Sequence, residues 1–478
     1  MTKSLSTIMR LISSKSLSSE RLVNDSIISI KANNPSVNAF SFTDFEGALE
    51  AARACDQEAK KDSWRGPLHG IPVAVKDLFL TKGVPSKRGS AAFKDFVPTV
   101  DSVIVERIEK AGAIMIGKTT TTELGWSGAS TSELYGDTRN PWNLRLTSGG
   151  SSSGSAAAVA AKMVPFSLGS DGGGSVRIPA SFCGIFSMKG SLGRIPVYPQ
   201  SATEMLSHAG PLTNTAEDST ILFNILKGSD ARDPLSLPDD GMDYLIGEID
   251  CQNIKVGYAP TLFGTEVNSE VAKAVSDGIT RIKEGLNVQI DTVDLDWQDP
   301  IRAFETLWVA GRGVSFCNQT PQLIDQLGSG FKKLVSAAGH YSLADYLTAI
   351  SMRSRFSTQI NQFFDKYDFL LLPTVPILPF DAELEVPGGM IGKSEILPWT
   401  AWTPFTYPFN LSGNPAASIP VGLSSERLPI GMQIVGRRHA DIQVLAFCRA
   451  LELQASFHVT RDESIHADTN REGIQYVK

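Results

Sequence analysis

The sequence predicts an α/β protein: a large, open, twisted and mixed β-sheet, mostly parallel, covered by helices on both faces. Three observations carry this expectation. Short apolar runs alternate with segments of helical period along most of the chain, the rhythm of helices packed on a partly parallel sheet. The run "FLLLP" (369–373) is apolar throughout, as a strand covered on both faces must be. The 478 residues are 42% hydrophobic and 20% charged, enough for a sizeable core, with no fixed repeat and no dividing linker. A single domain over 1–478 is therefore expected.

The elements follow in chain order. A helical region is expected over 1–60, where Leu22, Val23, Ile27 and Ile30 recur at helical spacing from Ser18 and stop before "NNP" at 33–35. "GIPVAVKDLF" (70–79) reads as a buried strand. "SVIVERIEKAG" (102–112) reads as a helix ended by Gly112, and "AIMIGK" (113–118) as the next strand. A short helix at 156–161 and a strand at 164–168 come next. Downstream, "EDSTILFNILKG" and "SEVAKAVSDGITRIKEG" are helices, with Val271, Val275, Ile279 and Ile282 in register. "NIKVGY" is a strand, and "VQIDTVDLD" alternates as a half-exposed one. "IGMQIVG" and "ADIQVLAFCRALELQ" close the chain as strand and helix. The Pro/Gly-rich stretch at 380–400 is expected to be a surface loop near a site.

Composition narrows the function classes. A net charge of −7 argues against nucleic acid and against anionic membranes as partners. Five cysteines (Cys55, Cys183, Cys251, Cys317, Cys448) form no C-x-x-C pair, so neither a disulfide framework nor a zinc site is expected. The six histidines never fall in H-x-x-x-H, so no metal or other cofactor is expected. The N-terminus lacks the apolar core of a signal peptide, and no segment has 18 uninterrupted apolar residues. A cytoplasmic location is the expectation.

Two glycine–serine clusters carry the chemistry, "TSGGSSSGSAAAVAA" from Thr147 and "SLGSDGGGSVRIPA" from Ser167 to Ala180. Both run into apolar segments, which suits tight turns rather than flexible linkers. Neither has the Lys-Ser/Thr of a phosphate-binding loop. A G-x-S-x-G elbow is present around Ser152, but it needs a later acid and a histidine. Gly172, Gly173 and Gly174 before Ser175 suit an oxyanion hole, in which successive backbone N–H groups converge on one point. Ser151 and Ser175 lie 24 residues apart, across a helix and a returning strand, and are expected to meet in space. A nucleophilic Ser175 needs a base. Lys76, at the end of an apolar strand, serves if burial keeps it neutral, against roughly 4 kcal/mol at pH 7.4. Pairing with Asp77 or a sheet-end acid is the alternative role for Lys76. The Ser329-x-x-Lys332 match to serine β-lactamases stands in the wrong order relative to "SDG" and "KTT".

At these residues the chain resembles the amidase signature family. "GGSSSGSAAAVAAKMVPFSLGSDGGGSVRIPA" is similar to its signature, "GPLHGIPVAVKDLF" to its lysine segment and "RNPWN" to the approach to the serine loop. "PFNLSGNPAASIPVG" and "PIGMQIVGRRHAD" are similar to its C-terminal segments, so the likeness spans about Pro67 to Arg449. The resemblance implies the amidase-signature fold, with a catalytic core over 67–200. It also implies a serine–cis-serine–lysine triad. Ser175 would be the nucleophile, and Ser151, joined to Ser152 through a cis peptide, would relay its proton to Lys76. The N–H groups of Gly172, Gly173, Gly174 and Ser175 would bind the oxyanion, with Ser152, Asp171 and Arg177 in support. The resemblance sets Trp126 near the acyl-pocket wall, and a core tryptophan is the alternative reading. Gly172 replaces a threonine or isoleucine of relatives, which predicts a looser hole or a roomier acyl pocket. Ser153 replaces a glycine, and "KGSLGR" replaces K-P-T-x-G-R, which predicts a different turn at Gly190.

The implied activity is hydrolysis of a small, neutral, apolar or aryl amide to acid plus amine or ammonia through a seryl acyl-enzyme. A homodimer is compatible with the resemblance. The alternative is a glutaminase-type amidotransferase subunit delivering ammonia to a partner. Ile178 in place of glutamine, and the lack of a counterpart to the carboxylate-binding arginine in "GSGFKKLVSAAGHYSLADYL", weigh against it. A serine–histidine hydrolase using Ser152 is the alternative of another class.

Overall fold

The computed structural model describes residues 3–246 and 249–461. Its strands are β1 (Phe40–Thr43), β2 (Pro72–Lys76), β3 (Ile114–Thr119), β4 (Arg139–Asn140), β5 (Asn143–Thr147), β6 (Phe166–Asp171), β7 (Phe186–Lys189), β8 (His208–Thr213), β9 (Lys255–Tyr258), β10 (Gln289–Thr292), β11 (Phe369–Pro373), β12 (Ala416–Leu423) and β13 (Pro429–Gly436). β4 and β5 make a small ribbon of their own. The others form one sheet in the order β1-β3-β2-β6-β8-β7-β12-β13-β11-β9-β10.

The open mixed sheet is as the sequence predicts. Its parallel pairing is confined to two blocks, β3-β2-β6 and β10-β9-β11. Between the blocks, and at the β1 edge, neighbours run antiparallel. The connection 424–428 between β12 and β13 is one reason, because a link that short cannot make a parallel crossover.

Both faces of the sheet are covered. Val73 and Val75 of β2 point into a core shared with the helices Val103–Lys110, Ala216–Leu226, Ser269–Leu286 and Asp441–Gln454. Ala74, between them, points to the opposite side, where the helices Ser19–Val37, Phe45–Lys60 and Ser153–Ala160 pack. β11 alternates in the same way. Leu371 joins the first core, whereas Leu370 and Leu372 join a third cluster with Phe304, Trp308 and Phe356.

Some elements depart from expectation. The second helix continues through Pro35 to Val37 and ends at Asn38, which turns left-handed at φ 55°. A proline in the last turn loses only one internal hydrogen bond, so "NNP" is too strict a stop signal here. The region 1–60 also supplies the edge strand β1. Residues 380–400 are exposed in the middle, around Ile391, but Trp399 at the far end is a core residue. Among the described residues, the three longest helices without a sequence assignment are Ile301–Cys317, Ser329–Ala338 and Leu343–Phe363. Among the described residues, no helix is long and apolar enough to cross a membrane.

Leu371 is fully buried in a strand inside the sheet. Leu371→Ala is expected to lower stability by about 2–5 kcal/mol, read as a lower urea midpoint with unchanged slope.

Candidate active site

β2 and β6 lie side by side and parallel, so their carboxyl ends open at the same edge of the sheet. Open α/β sheets bind ligands at such ends. Lys76 ends β2, and Ser170 and Asp171 end β6. The Lys76 side chain is fully buried, and its Nζ lies 2.8 Å from Ser151 Oγ, 3.0 Å from Ser152 Oγ and 3.0 Å from Ser170 Oγ. Burial, and then the positive charge of Arg312, push the Lys76 pKa well below the ordinary lysine range, with Asp171 opposing them. The expected alternative, pairing of Lys76 with Asp77, does not occur. Asp77 instead accepts from Tyr135 Oη at 2.5 Å and lies 3.6 Å from Lys118.

Ser151 enters through a cis peptide at Gly150–Ser151, one bond earlier than the resemblance implied. Gly150 suits that place because a Cβ there would strike the Ala129 carbonyl. The helix Ser153–Ala160 then starts, and Ser152 N–H donates to Ser175 C=O at 3.1 Å. That bond ties the two glycine–serine turns together. Ser151, Ser170 and Ser175 open onto one cavity of about 490 Å³. The expected meeting of the two turns therefore takes place.

The Asp171–Arg177 pair frames the second turn. Both side chains are buried. Arg177 Nε and Nη2 donate to Asp171 Oδ2 and Oδ1 at 2.9 and 3.0 Å, a bidentate fork. Burial would raise the Asp171 pKa, but the charge and hydrogen bonds of Arg177, with Lys189 and Asn410, reverse this and hold it below the usual carboxylate range. Arg177 also donates to Thr406 O, Gln433 Oε1 and Asn410 Oδ1 at 3.0, 2.7 and 2.6 Å. Asn410 and Gln433 lie in the two C-terminal segments that carry the resemblance, which is the only sequence signal for them. Ser170 has none beyond its place next to Asp171.

The glycines serve two purposes. Gly174, at φ 130°, donates its N–H to Asp171 Oδ1 at 2.7 Å. That amide is committed to the frame, which removes it from the expected set of oxyanion donors. The amides of Gly172, Gly173 and Ser175 remain. A Cβ on Gly172 would lie 2.7 Å from Trp308 Cζ3, and one on Gly173 would lie 2.9 Å from Phe304 Cζ. The space left by the side chain missing at Gly172 is thus filled by Trp308, and the expected looser hole or roomier pocket is not formed there.

Trp126 does not line the cavity. The chain turns at Leu124 (φ 50°) and Gly125 (φ 69°), which do line it, and the Trp126 indole packs against Gly330 in the core. Part of the wall comes from helices the sequence left unassigned, through Arg312, Phe316 and Phe331. The Ser152 elbow finds no histidine. Its hydroxyl donates to Ser170 O at 3.1 Å, and no histidine is among its hydrogen-bond partners. His208 does line the cavity. Its Nδ1 lies 2.9 Å from Leu206 O, so Nδ1–H donates there, and Nε2 has no protein partner.

Gly172→Ala is expected to lower kcat/KM by about tenfold or more, because the loop must move away from Trp308. The double variant Gly172→Ala/Trp308→Leu should recover part of the loss in the same assay.

The profile of the Amidase family matches residues 21–445. The chain is 32% identical to an acylamidase of Rhodococcus erythropolis, over 91% of each chain. It is also 33% identical to a glutamyl-tRNA(Gln) amidotransferase subunit of Methylococcus capsulatus, over 95% of this chain and 98% of that one. Among solved structures, a bacterial aryl acylamidase of the amidase signature family superposes with a TM-score of 0.87 at 29% identity, covering 95% of this chain and 96% of that one. With the buried lysine, the serine turns and these matches together, the chain belongs to the amidase signature family and is a hydrolase of carbon–nitrogen amide bonds.

Proposed function

We propose that the protein hydrolyses a small amide with an apolar or aryl group through an acyl-enzyme on Ser175. The observation that carries this reading is the fully buried Lys76 amine, 2.8 Å from Ser151, behind a cavity that Ser151 and Ser175 both line. A neutral amine has two N–H donors and one lone pair. Ser152 gives its own proton to Ser170 O, so it accepts from Lys76. With Ser170 taking the second N–H, the lone pair is left for the hydroxyl of Ser151, the nearest of the three.

In the proposed reaction, Ser175 Oγ attacks the carbonyl carbon while its proton passes to Ser151 and the Ser151 proton passes to Lys76. The carbonyl electron pair moves onto oxygen and is held by the N–H groups of Gly172, Gly173 and Ser175. Collapse breaks the C–N bond, and the proton returns through Ser151 to the leaving nitrogen. Water then attacks the ester by the same relay and releases the acid. Phe79, Phe93, Phe316 and Phe331 in the cavity wall support an apolar or aryl substrate. The glutaminase alternative requires a partner for the α-ammonium of glutamine. Asp171, the only acid among the described lining residues, already accepts from Arg177, Asn410, Gly174 and Val176. The five free cysteines fit a cytoplasmic location.

Ser175→Ala and Lys76→Ala are each expected to lower turnover of simple anilides by about three orders of magnitude or more, with the circular dichroism spectrum retained. Normal turnover in either variant excludes the triad. Lys76 must be deprotonated to act, so kcat/KM should rise with pH as it loses its proton. Because its pKa is depressed, the midpoint should fall below the value of about 10.4 for free lysine. Lys76→Arg, which stays charged, should be inactive across that whole range.

A further inference from the structure

Among the described residues, two cations line the cavity without an ion pair, Arg312 and Arg88. Arg312 lines the cavity, and its guanidinium carbon lies 4.0 Å from the Trp308 ring centroid. Nη1 donates to Leu124 O at 2.5 Å, and Nε has no partner. Among the described residues, no acid lies within ion-pair distance of it. Asp171, the one acid in the lining, is already held by Arg177 and its other donors. Arg88, also in the lining, lies over the rings of Phe93 and Phe96. The charge fixed on the cavity wall is therefore positive.

Arg312 is half-buried with its Nε sealed from solvent, and an arginine keeps its charge there, so the missing counter-charge is costly. Burial lowers the Arg312 pKa to about 10, which still leaves it charged near neutrality. Its position is also specific. Nη2 lies 3.9 Å from the point that a Cβ on Gly172 would occupy, beside the turn that holds the oxyanion donors.

We propose that Arg312 recognises a carboxylate carried by the amide substrate within a few bonds of the scissile carbonyl. This rests on the amide-hydrolase reading and deepens it, replacing the neutral substrate expected from sequence with an acidic one. The carboxylate supplies the missing counter-charge and takes the free donors of the guanidinium fork. The phenyl or alkyl remainder packs on the aromatic wall.

The test compares three anilides: butyranilide, succinanilic acid with its carboxylate on the acyl side, and 2-(butyrylamino)benzoate with its carboxylate on the amine side. The wild-type protein is expected to favour one of the acids over butyranilide by about tenfold or more in kcat/KM. Arg312→Gln should bring that ratio to about one, and Arg312→Lys should keep part of it. A wild-type ratio of one for both acids overturns the proposal. So does a preference that survives Arg312→Gln, the result expected if Arg312 only braces Leu124. A readout without turnover is calorimetric titration of Ser175→Ala with the same three compounds. Tighter binding of an acid, lost in Ser175→Ala/Arg312→Gln, supports the proposal, and equal binding of all three overturns it. Acid-selective binding without turnover by the wild-type protein would uphold Arg312 and fault the hydrolase reading alone.

Discussion

The bidentate contact between Arg177 and Asp171 holds two halves of the molecule to one reference point. Asp171 closes β6 next to Lys76, whereas Thr406, Asn410 and Gln433, which surround the guanidinium, belong to the C-terminal part of the chain. Removing one partner of such a pair leaves a charge with no solvent and no counter-ion, a loss of about 3–5 kcal/mol. The turn between the two residues is shaped by the same contact. Asp171 takes the N–H of Gly174, and the aromatic rings of Trp308 and Phe304 press on Gly172 and Gly173 from the other side. In the proposed reaction, donors fixed in this way need not reorganise as charge develops, which is the source of electrostatic rate enhancement.

Lys76 depends on that frame in turn. An amine kept neutral needs low polarity and a cation nearby, yet it must still find partners for its hydrogens. Ser152 and Ser170 satisfy the hydrogens, and Arg312 supplies the positive field. The nearby negative charge of Asp171 would favour the ammonium. Its fork with Arg177 offsets much of that effect, so the framing pair and the buried base are electrostatically linked.

Much of the proposed chemistry is legible in the sequence because it lies in short, dense motifs. Lys76, Ser151, Ser175 and the glycine turn can be named from local sequence and a family likeness. The alternation of strand and helix identifies the sheet, though not its antiparallel centre, since pairing direction depends on connections that periodicity does not reveal. The cavity wall is the least legible part. The segment "ETLWVAGRGVSFC" is apolar around much of its circumference, so it shows no clean stripe, and Arg312 reads there as an ordinary surface charge. Only the fold turns that residue inward. Trp126 fails in the opposite direction: its neighbours Leu124 and Gly125 face the cavity, and the turn they make carries the indole into the core.

The cavity wall draws on two stretches of the polypeptide, one of which lies outside the segment proposed to carry the chemistry. The residues proposed to make and break bonds lie between Lys76 and Arg177, on strands and turns locked by the sheet. Arg312, Phe316 and Phe331 of the cavity wall lie on helices from Ile301 onward, whereas Phe79 and Phe93 lie within the earlier segment. Substitutions on those helices can reshape ligand preference while the bond-breaking apparatus stays intact. A scaffold divided in this way can diversify its diet one wall at a time.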